Sequence, residues 1–454
     1  MITIVDYGMG NLGSILNMFK RIGVATEITS DAAVLANASK VLLPGVGAFD
    51  AAMQRIDASG LRPVLDHKAL YERVPILGIC LGMQLLTRGS DEGKLSGLGW
   101  IGATTRRFPT IAGLKVPHMG WNLVAPAQPS PLTAGLPAES RFYFVHSYFV
   151  QADDDRDCAQ GPLRRELRRR SGARQHLRRA VPSRKESQVR PATAGQLCEP
   201  VMLRTRVIPA LLLRNESLVK TVRFGQFTYV GDPCNTVRIF NELEVDELVF
   251  LDITATNDGR SPNLALLADI ANECFMPLGY GGGIRTFEDA QAILKLGFEK
   301  VIVNSSAVAN PQLVTDLADH FGRQAVIVSI DVKRDLLGHL RVRTRSGTHN
   351  TGRDPVAWAR EAERLGAGEI LLTSIDREGS WEGFDIGLVK SVTDAVNVPV
   401  IAQGGAGSLA DVGAVVRQAG ASAVALGSMV VFQKKGMGVL VSFPDPKKLE
   451  QALA

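Results

Sequence analysis

Two glycine-rich stretches decide the fold of the longer part of this chain, Tyr280-Gly-Gly-Gly-Ile284 and Gln403-Gly-Gly-Ala-Gly407. Each follows a short apolar run of the kind that forms a buried strand. A second matching pair, Asn304-Ser-Ser306 and Gly427-Ser-Met429, also follows apolar runs. Both pairs are separated by the same 123 residues. Two matches at one offset predict an internal repeat with equivalent strand ends.

Further apolar runs extend this pattern in both directions and alternate with helical stretches such as Thr286-Leu296 and Asp354-Leu365. The eight runs are Arg206-Leu212, Glu247-Asp252, Met276-Gly279, Lys300-Asn304, Gln324-Asp331, Glu369-Thr373, Val398-Gln403 and Ala423-Gly427. Eight strands alternating with helices in about 250 residues are typical of a TIM barrel. We therefore predict a (β/α)8 barrel made of two half-barrels over residues 202–454.

The first 157 residues have a different α/β pattern. Apolar strands at Ile2-Val5, Lys40-Leu43 and Pro75-Ile79 alternate with helix-like stretches. Such alternation predicts a separate α/β domain with a mostly parallel sheet.

Residues 158–201 resemble neither neighbour. Positions 158–200 hold ten Arg and one Lys against three Glu, without an aromatic residue or a sustained periodicity. The simplest interpretation is a basic disordered linker. Because the net charge of +5 arises in this segment, it does not favour nucleic-acid binding by the folded parts.

The composition is that of an ordinary globular protein, 45% hydrophobic and 21% charged. No apolar run approaches the roughly 18 residues of a membrane span, and the N-terminus reads as a strand, not a signal peptide. The five cysteines lack metal-like spacing and favour a reducing compartment. We expect a cytoplasmic protein with no metal or organic cofactor.

The strand ends of the predicted barrel carry a candidate ligand site. Glycines at the C-terminal ends of barrel strands let backbone N–H groups approach phosphate oxygens, and two clusters suit a ligand with a phosphate at each end. Alternatively, the glycines only form tight turns. The residues that we assign to phosphate and substrate binding are Lys220, Gly282, Gly283, Asn304, Ser305, Thr373, Asp376, Gly404, Gly405, Gly427 and Ser428.

Acid–base chemistry at this site is predicted for Asp331, which ends the fifth barrel strand. Asp252 and Asp376 are weaker candidates, because each could be a structural hydrogen-bond acceptor. The half-barrel repeat places Leu212 where the other half has Asp331. An alkyl side chain cannot transfer a proton.

A nucleophile is predicted at Cys80 in the N-terminal domain. The segment Gly78-Ile-Cys-Leu-Gly82 has the form of a nucleophile elbow, with a strand before it and a helix after it. The helix N-terminus is expected to favour the thiolate, although a buried structural cysteine is the common alternative. We assign the oxyanion hole and the binding of the substrate to Gly45, Gly47, Leu81 and Gln84.

The base that such a nucleophile needs is not evident. The histidines available before residue 200 are His67, His118, His146 and His176, and none follows a strand beside an acid.

In the segments around Cys80 and at the strand ends of the predicted barrel, the chain resembles the imidazole glycerol phosphate synthases of histidine biosynthesis. Residues 1–157 resemble the glutaminase, a class I glutamine amidotransferase, and residues 202–454 resemble the cyclase. The N-terminal segments that carry the resemblance are Asp6-Tyr-Gly-Met-Gly-Asn-Leu12, Pro44-Gly-Val-Gly-Ala-Phe49, Gly78-Ile-Cys-Leu-Gly-Met-Gln84, Pro117-His-Met-Gly-Trp-Asn122 and Phe142-Tyr-Phe-Val-His-Ser-Tyr148.

The resemblance implies a mechanism. Cys80 would release ammonia from L-glutamine, and the ammonia would enter the barrel through its N-terminal face. There it would pass a charged ring formed by Arg206, Glu247, Lys300 and Glu369. At the opposite face it would react with a bis-phosphorylated ribulosyl substrate to give imidazole glycerol phosphate and an aminoimidazole carboxamide ribotide. Asp331 matches one of the two catalytic aspartates.

The chain departs from the family at Leu212, where the second catalytic aspartate is expected. A branch of the family that has leucine at this position resembles proteins of surface-polysaccharide gene clusters. In that branch, the glutaminase and the cyclase-like barrel are thought to supply ammonia to a separate sugar-amidating enzyme. Ile208-Pro-Ala-Leu-Leu-Leu213 and Val219-Lys-Thr-Val222 are closer to that branch. The alternative function is therefore ammonia supply, with the barrel as a conduit.

The expected Phe-His-Pro-Glu-Lys-Ser-His motif of the glutaminase is also absent. Pro182-Ser-Arg-Lys-Glu-Ser-Gln188 is what that motif gives in a shifted reading frame. We hypothesise a frameshift near residue 158, which would truncate the glutaminase and explain the Arg-rich segment. We expect weak glutamine hydrolysis, and a defective fusion in which only the barrel folds is a third interpretation.

Overall fold

A computed structural model describes residues 1–10, 12–109, 115–123, 134–137, 140–152 and 205–453. These residues form two compact units, one mainly from the first 152 residues and one mainly from residues 205–453. The Arg-rich segment predicted at 158–201 and the domain boundaries at 157 and 202 lie outside the described residues, so they remain predictions. Among the described helices, none has the length and apolar character needed to cross a membrane.

The N-terminal unit alternates strands and short helices over its first half. Its strands are β1 (Ile2–Val5), β2 (Thr26–Thr29), β3 (Val41–Leu43), β4 (Ile76–Gly78), β5 (Ala103–Arg107), β6 (His118–Leu123), β7 (Arg141–His146) and β8 (Tyr148–Ala152). Its helices are α1 (Leu12–Arg21), α2 (Ala32–Ala36), α3 (Phe49–Ala58), α4 (Arg62–Asp66), which continues as a π-helical turn (His67–Tyr71), and α5 (Leu81–Leu85).

Four of these strands form a parallel sheet in the order β2-β1-β3-β4. Residues from β1 and β3 and from α3 and α5 form its buried core, including Val5, Leu43, Phe49 and Leu85. The remaining strands pair as antiparallel ribbons, β5 with β8 and β6 with β7. Since β3 and β4 are neighbours and parallel, the segments that follow them emerge at the same edge of the sheet.

The second unit contains the elements of the predicted barrel. Its strands are β9 (Arg206–Arg214), β10 (Ser217–Thr221), β11 (Phe227–Gly231), β12 (Leu248–Asp252), β13 (Leu278–Gly281), β14 (Lys300–Val303), β15 (Val326–Arg334), β16 (Leu340–Thr344), β17 (His349–Asn350), β18 (Glu369–Ser374), β19 (Val400–Gln403) and β20 (Ala423–Leu426). Its helices are α6 (Pro233–Glu242), α7 (Leu264–Glu273), α8 (Phe287–Leu296), α9 (Ser305–Ala309), α10 (Gln312–Phe321), a 3-10 turn (Arg323–Ala325), α11 (Pro355–Leu365), α12 (Ile386–Thr393), α13 (Leu409–Ala419), α14 (Ser428–Val431) and α15 (Pro446–Leu453).

Eight parallel strands close the barrel in the order β9-β12-β13-β14-β15-β18-β19-β20, and β20 pairs with β9. All eight strands correspond to predicted runs, so the barrel prediction is confirmed. The two predicted helices are also present, and Thr286 and Asp354 are their N-caps. Each accepts a hydrogen bond from a backbone N–H in the first turn of its helix, as such caps do.

Two antiparallel extensions were not predicted. The strand β10 folds back on β9, and β16 folds back on β15, so each half-barrel has a hairpin after its first strand. The strands β9 and β15 continue through Arg214 and Arg334, beyond the predicted ends at Leu212 and Asp331.

The barrel strands are buried on both sides, which explains their nearly continuous apolar sequence. Small and aliphatic side chains fill the interior of the barrel, among them Ile208, Ala210, Ile302, Ile327 and Ala425. A larger apolar cluster lies between the strands and the surrounding helices. The rigid strands thereby fix the positions of the polar residues at their two ends.

Candidate active sites

The predicted elbow at Cys80 is present between β4 and α5. Cys80 has φ +52° and ψ −116°, a conformation that costs energy for a residue with a side chain. Glycines on both sides permit the turn, since a Cβ at Gly78 would lie 2.6 Å from the backbone of Met83. A Cβ at Gly82 would lie 1.9 Å from the carbonyl oxygen of Leu43. The geometry is that of a nucleophile elbow, a strained turn between a strand and a helix.

The end of β3 lies directly against this elbow. The N–H of Ile79 donates to the carbonyl of Leu43 at 3.0 Å. A Cβ at Gly45 would lie 2.7 Å from the N atom of Gly82 and 2.9 Å from the Cβ of Leu81. The structure thus brings together Gly45 and Leu81, two of the residues assigned to the oxyanion hole. Their catalytic role remains a prediction.

The electrostatics of Cys80 differ from the expectation for a helix N-terminus. Burial raises the pKa of the thiol to about 11, and the charge of Glu92 adds to the rise. The N–H of Leu81 acts in the opposite direction. The expectation of a favoured thiolate is therefore wrong for the described residues, because α5 is only five residues long and its N-terminus does not outweigh burial.

Glu92 is a candidate functional residue that the sequence patterns missed. Its carboxylate accepts a hydrogen bond from the N–H of Phe49 at 3.0 Å. Burial raises its pKa to about 7, and the charge of Asp50 adds to the rise. Glu92 lies in an irregular loop, where neither periodicity nor a motif distinguishes one carboxylate from another.

The described histidines do not supply a base to Cys80. His118 and His146 face each other, with 3.0 Å between Nδ1 and Nε2, and His146 also contacts the carbonyl of Tyr148 at 2.8 Å. Burial lowers their pKa values to about 4 and about 3. His67 is exposed and pairs with Glu72. None of these three is hydrogen-bonded to Cys80, and His176 lies outside the described residues.

The four residues of the predicted charged ring meet at the N-terminal end of the barrel strands. Each is at most 1% exposed. Arg206 contacts Glu247 at 2.8 Å and also pairs with Glu369. Lys300 contacts Glu247 at 2.8 Å and Glu369 at 2.7 Å. Two cations and two carboxylates therefore form a closed cycle of buried ion pairs.

The opposite end of the barrel holds a cavity of about 1060 Å³. Asp331 and Leu212 both line it, as do most of the residues assigned to phosphate and substrate binding. Those lining residues are Lys220, Gly282, Gly283, Asn304, Ser305, Thr373, Gly404, Gly405, Gly427 and Ser428. The predicted residues thus converge on one cavity at the strand ends.

Asp376 is the exception among the predicted binding residues. It does not line the cavity, and its carboxylate accepts a hydrogen bond from the N–H of Arg334 at 3.0 Å. Glu378, two residues further on, lines the cavity instead. The structure therefore does not place Asp376 among the lining residues, because the loop after β18 turns Glu378 towards the mouth.

Glu378 connects this loop to the hairpin after β9. Its carboxylate pairs with Lys220 and accepts hydrogen bonds from Thr221 Oγ1 and the N–H of Phe224, both at 3.1 Å. Lys220 lies against Gly427, where a Cβ would be 2.8 Å from the lysine Cε. A buried ion pair therefore forms part of the cavity wall next to Gly427.

Backbone geometry requires glycine at equivalent places in the two halves. Gly282 has φ +119°, and a Cβ there would lie 2.4 Å from the carbonyl oxygen of Asp252. Gly404 has φ +93°, and a Cβ there would lie 2.6 Å from the carbonyl oxygen of Ser374. These two glycines are 122 residues apart, and each is the first residue after its strand, so the two half-barrels share a backbone conformation at the mouth of the cavity.

Asp331 has the environment of a proton-transfer group. Burial raises its pKa to about 6, although side-chain hydrogen bonds from Thr373, Ser329 and Asn304 oppose the rise. The amide of Asn304 donates to Asp331 Oδ2 at 2.8 Å. A carboxyl group with a pKa near neutrality can both accept and donate a proton.

Asp252 instead has the contacts of a structural acceptor. Its Oδ1 accepts hydrogen bonds from the N–H of Thr254 at 3.0 Å, from Thr254 Oγ1 at 3.1 Å and from the N–H of Ala255 at 2.9 Å. These bonds hold the loop that follows β12. Of the two alternatives for Asp252, the structural one fits these contacts.

The elbow at Cys80 and the strand-end cavity of the barrel are thus two candidate enzyme sites, one in each unit. Residues 3–166 match the family model for class I glutamine amidotransferases. Residues 206–435 match the model described as histidine biosynthesis protein. The chain belongs to the histidine biosynthesis protein family, with a class I glutamine amidotransferase domain before the barrel. Both are families of enzymes.

Curated relatives cover the barrel part. It is 50% identical over 249 residues to a Pseudomonas aeruginosa protein provisionally named imidazole glycerol phosphate synthase subunit hisF2, covering 99% of that protein and 55% of this chain. It is 46% identical over 253 residues to the provisionally named subunit hisF3 of Vibrio vulnificus, covering 97% and 56%. The imidazole glycerol phosphate synthase subunit HisF of Alkaliphilus metalliredigens is 48% identical over 210 residues, covering 83% and 46%.

Proposed function

We propose that this chain is a glutamine-dependent cyclase of the imidazole glycerol phosphate synthase type. Ammonia released from L-glutamine reacts in the barrel with a bis-phosphorylated ribulosyl-formimino-aminoimidazole carboxamide ribotide. The products are imidazole glycerol phosphate and aminoimidazole carboxamide ribotide. One observation carries the proposal. The carboxyl group of Asp331, with a pKa of about 6, lines a cavity that also has a glycine cluster from each half-barrel.

The cavity fits an elongated ligand with an anionic group at each end. Gly282 and Gly283 lie in one half-barrel and Gly404 and Gly405 in the other, and all four have positive φ. Backbone N–H groups in such turns form concave sites for phosphate oxygens. The strand β15, which carries Asp331, is the middle one between β13 and β19 in the barrel order, so a ligand that spans the two clusters is proposed to pass Asp331.

The interior of the barrel suits the passage of neutral ammonia. Side chains such as Ile208, Ala210, Ile302 and Ala425 are apolar, so an ammonium ion inside would lose its hydration without a counter-ion. The ring of Arg206, Glu247, Lys300 and Glu369 lies at the entrance to this interior. In the proposed function the ring admits ammonia when its ion pairs separate.

The test is ammonia-dependent turnover. Purified chain receives the bis-phosphorylated substrate and an ammonium salt, which bypasses the glutaminase, and imidazole glycerol phosphate is measured. The proposed function requires product formation that the Asp331→Asn variant lacks. A folded chain that makes no product would overturn the cyclase proposal.

One observation favours a second candidate function. Leu212 lines the cavity where a second catalytic aspartate is expected, and it cannot transfer a proton. In this alternative the barrel conducts ammonia to a separate sugar-amidating enzyme of surface-polysaccharide biosynthesis. Neighbouring genes discriminate between the two: histidine-pathway genes support the first function and sugar-nucleotide genes support the second.

Glutamine hydrolysis by this chain is proposed to be weak. Cys80 has no hydrogen-bonded histidine among the described residues, and the region where the family motif with His and Glu is expected lies outside them. We propose that a frameshift near residue 158 removed that motif. Sequencing the coding DNA tests this hypothesis. The frameshift requires that a different reading frame of codons 158–200 encodes His-Pro-Glu, and the absence of that motif from the other frames would refute the frameshift.

A further inference from the structure

The segment Asp6-Tyr-Gly-Met-Gly-Asn-Leu12 has no function assigned so far. Asp6–Gly10 follow β1, Leu12 begins α1, and the side chain of Tyr7 is only 4% exposed. The hydroxyl of Tyr7 donates a hydrogen bond to the carbonyl oxygen of Pro44 at 2.7 Å. Pro44 directly follows β3 and precedes Gly45. Tyr7, just after β1, therefore holds the backbone at Pro44, just after β3, which is the neighbouring strand of the sheet.

The contact lies beside the nucleophile. A Cβ at Gly45 would be 2.7 Å from the Tyr7 hydroxyl and 2.7 Å from the N atom of Gly82, at the start of α5. Cys80 is close enough that its negative charge adds to the rise in the pKa of Tyr7, which burial raises strongly. The hydroxyl thus keeps its proton and remains a hydrogen-bond donor.

We propose that Tyr7 is a positioning residue of the glutaminase site, which anchors the carbonyl of Pro44 and thereby fixes the direction of the Gly45 N–H beside Cys80. The reason is the planarity of the peptide bond. Within one trans peptide, the carbonyl and the following N–H point in opposite directions, so fixing one fixes the other. The proposal rests on the glutaminase function and assigns a role to a tyrosine that does not itself touch the substrate.

A positioning role has a distinct signature. An oxyanion hole binds the tetrahedral adduct of Cys80 more strongly than it binds glutamine itself, since its N–H donors are aimed at the position of the adduct oxygen. Loss of the anchor therefore weakens adduct binding and leaves glutamine binding nearly unchanged. We expect a loss of about tenfold, the scale of one neutral hydrogen bond.

The experiment compares the full chain with its Tyr7→Phe variant. Glutamate γ-semialdehyde is the probe for the adduct: Cys80 Sγ adds reversibly to its aldehyde carbon, and the thiol proton passes to the oxygen. Protection of Cys80 against iodoacetamide gives the affinity for the aldehyde and, separately, for glutamine. Mass spectrometry of the Cys80 peptide separates this site from the other cysteines. Tyr71→Phe is the matched control, since Tyr71 is 77% exposed.

The proposal expects Tyr7→Phe to weaken aldehyde binding about tenfold, with glutamine protection and the unprotected alkylation rate within about twofold of the parent chain. Unchanged aldehyde binding would overturn it. Equal loss of aldehyde binding, glutamine protection and alkylation would also overturn it, because general disruption of the site gives that result. A parent chain that binds neither compound would refute the glutaminase function itself.

Discussion

Leu212 and Asp331 occupy corresponding places in the two halves of the barrel. Leu212 of β9 pairs with Val219 of β10, and Asp331 of β15 pairs with Arg343 of β16, so each lies at the base of the hairpin that follows its strand. Both side chains line the cavity. One half of a repeated structure thus provides an ionisable carboxyl group, and the other half provides an alkyl group that cannot transfer a proton. This asymmetry determines what the barrel can catalyse.

The pH dependence of ammonia-driven turnover follows from Asp331. Burial raises its pKa to about 6, so the carboxylate that acts as a base is protonated below this pH and ionised above it. We expect turnover to rise through about pH 6, measured at a constant concentration of free ammonia. Asp331→Asn removes the activity, whereas Asp376→Asn, outside the cavity, stays within about twofold. A flat profile between pH 5 and about 7 would contradict the role of Asp331.

Removing one cation from the buried ring is expected to destabilise the barrel. Lys300→Met leaves Glu247 and Glu369 with Arg206 alone, which places excess negative charge in the interior. The expected loss is about 3–5 kcal/mol in the free energy of unfolding, measured with urea. Lys390→Met breaks an exposed pair with Asp394 and is the control, with a loss under about 1 kcal/mol. Equal losses for the two variants would show that the ring is not a coupled buried network.

The glycine cluster after β19 is expected to be essential for phosphate binding. Gly404→Ala introduces a Cβ that would lie 2.6 Å from the carbonyl oxygen of Ser374, so the loop must shift. We expect the affinity for inorganic pyrophosphate to fall at least about tenfold, measured by calorimetry. Gly338→Ala is the matched control, since Gly338 also has positive φ but no atom near its Cβ position. If the affinity of Gly404→Ala for pyrophosphate is unaltered, the glycines only form the turn and do not bind phosphate.

The reactivity of Cys80 is expected to be that of an unactivated thiol. With a pKa of about 11, the thiolate fraction rises about tenfold for each pH unit below that value. The rate of alkylation by iodoacetamide should therefore increase steadily from pH 7 to about 10, whereas glutathione approaches its plateau earlier. A plateau near neutral pH would reveal an activating group and contradict weak glutamine hydrolysis.

The sequence predicted the parts of the fold that rest on periodicity and repetition. The eight barrel strands are buried on both sides and therefore appear as apolar runs. The half-barrel repeat aligned the glycine-rich segment after β13 with the one after β19. The hairpins after β9 and β15 escaped prediction for a physical reason. The turn between β9 and β10 places Asn215 and Glu216 at positive φ, a conformation that a glutamate in the sequence does not predict.

Side-chain direction within loops was the other limit. Asp376 and Glu378 are two residues apart, and only the conformation of the loop after β18 decides that Glu378 lines the cavity. The pKa of Cys80 was misjudged because a local argument from the helix N-terminus omits burial by residues distant in sequence. Loop conformation and burial both depend on tertiary surroundings, which no short motif encodes.

The most direct test of the account is ammonia-dependent turnover of the bis-phosphorylated substrate by the full chain and its Leu212→Asp variant, with Leu212→Asn as the matched control. The account predicts measurable product from the parent chain and an increase on the order of 10²-fold or more in Leu212→Asp, the usual contribution of a positioned acid–base group. Turnover by Leu212→Asp alone would assign the natural chain to ammonia supply. No turnover by either folded protein would contradict the proposed cyclase function.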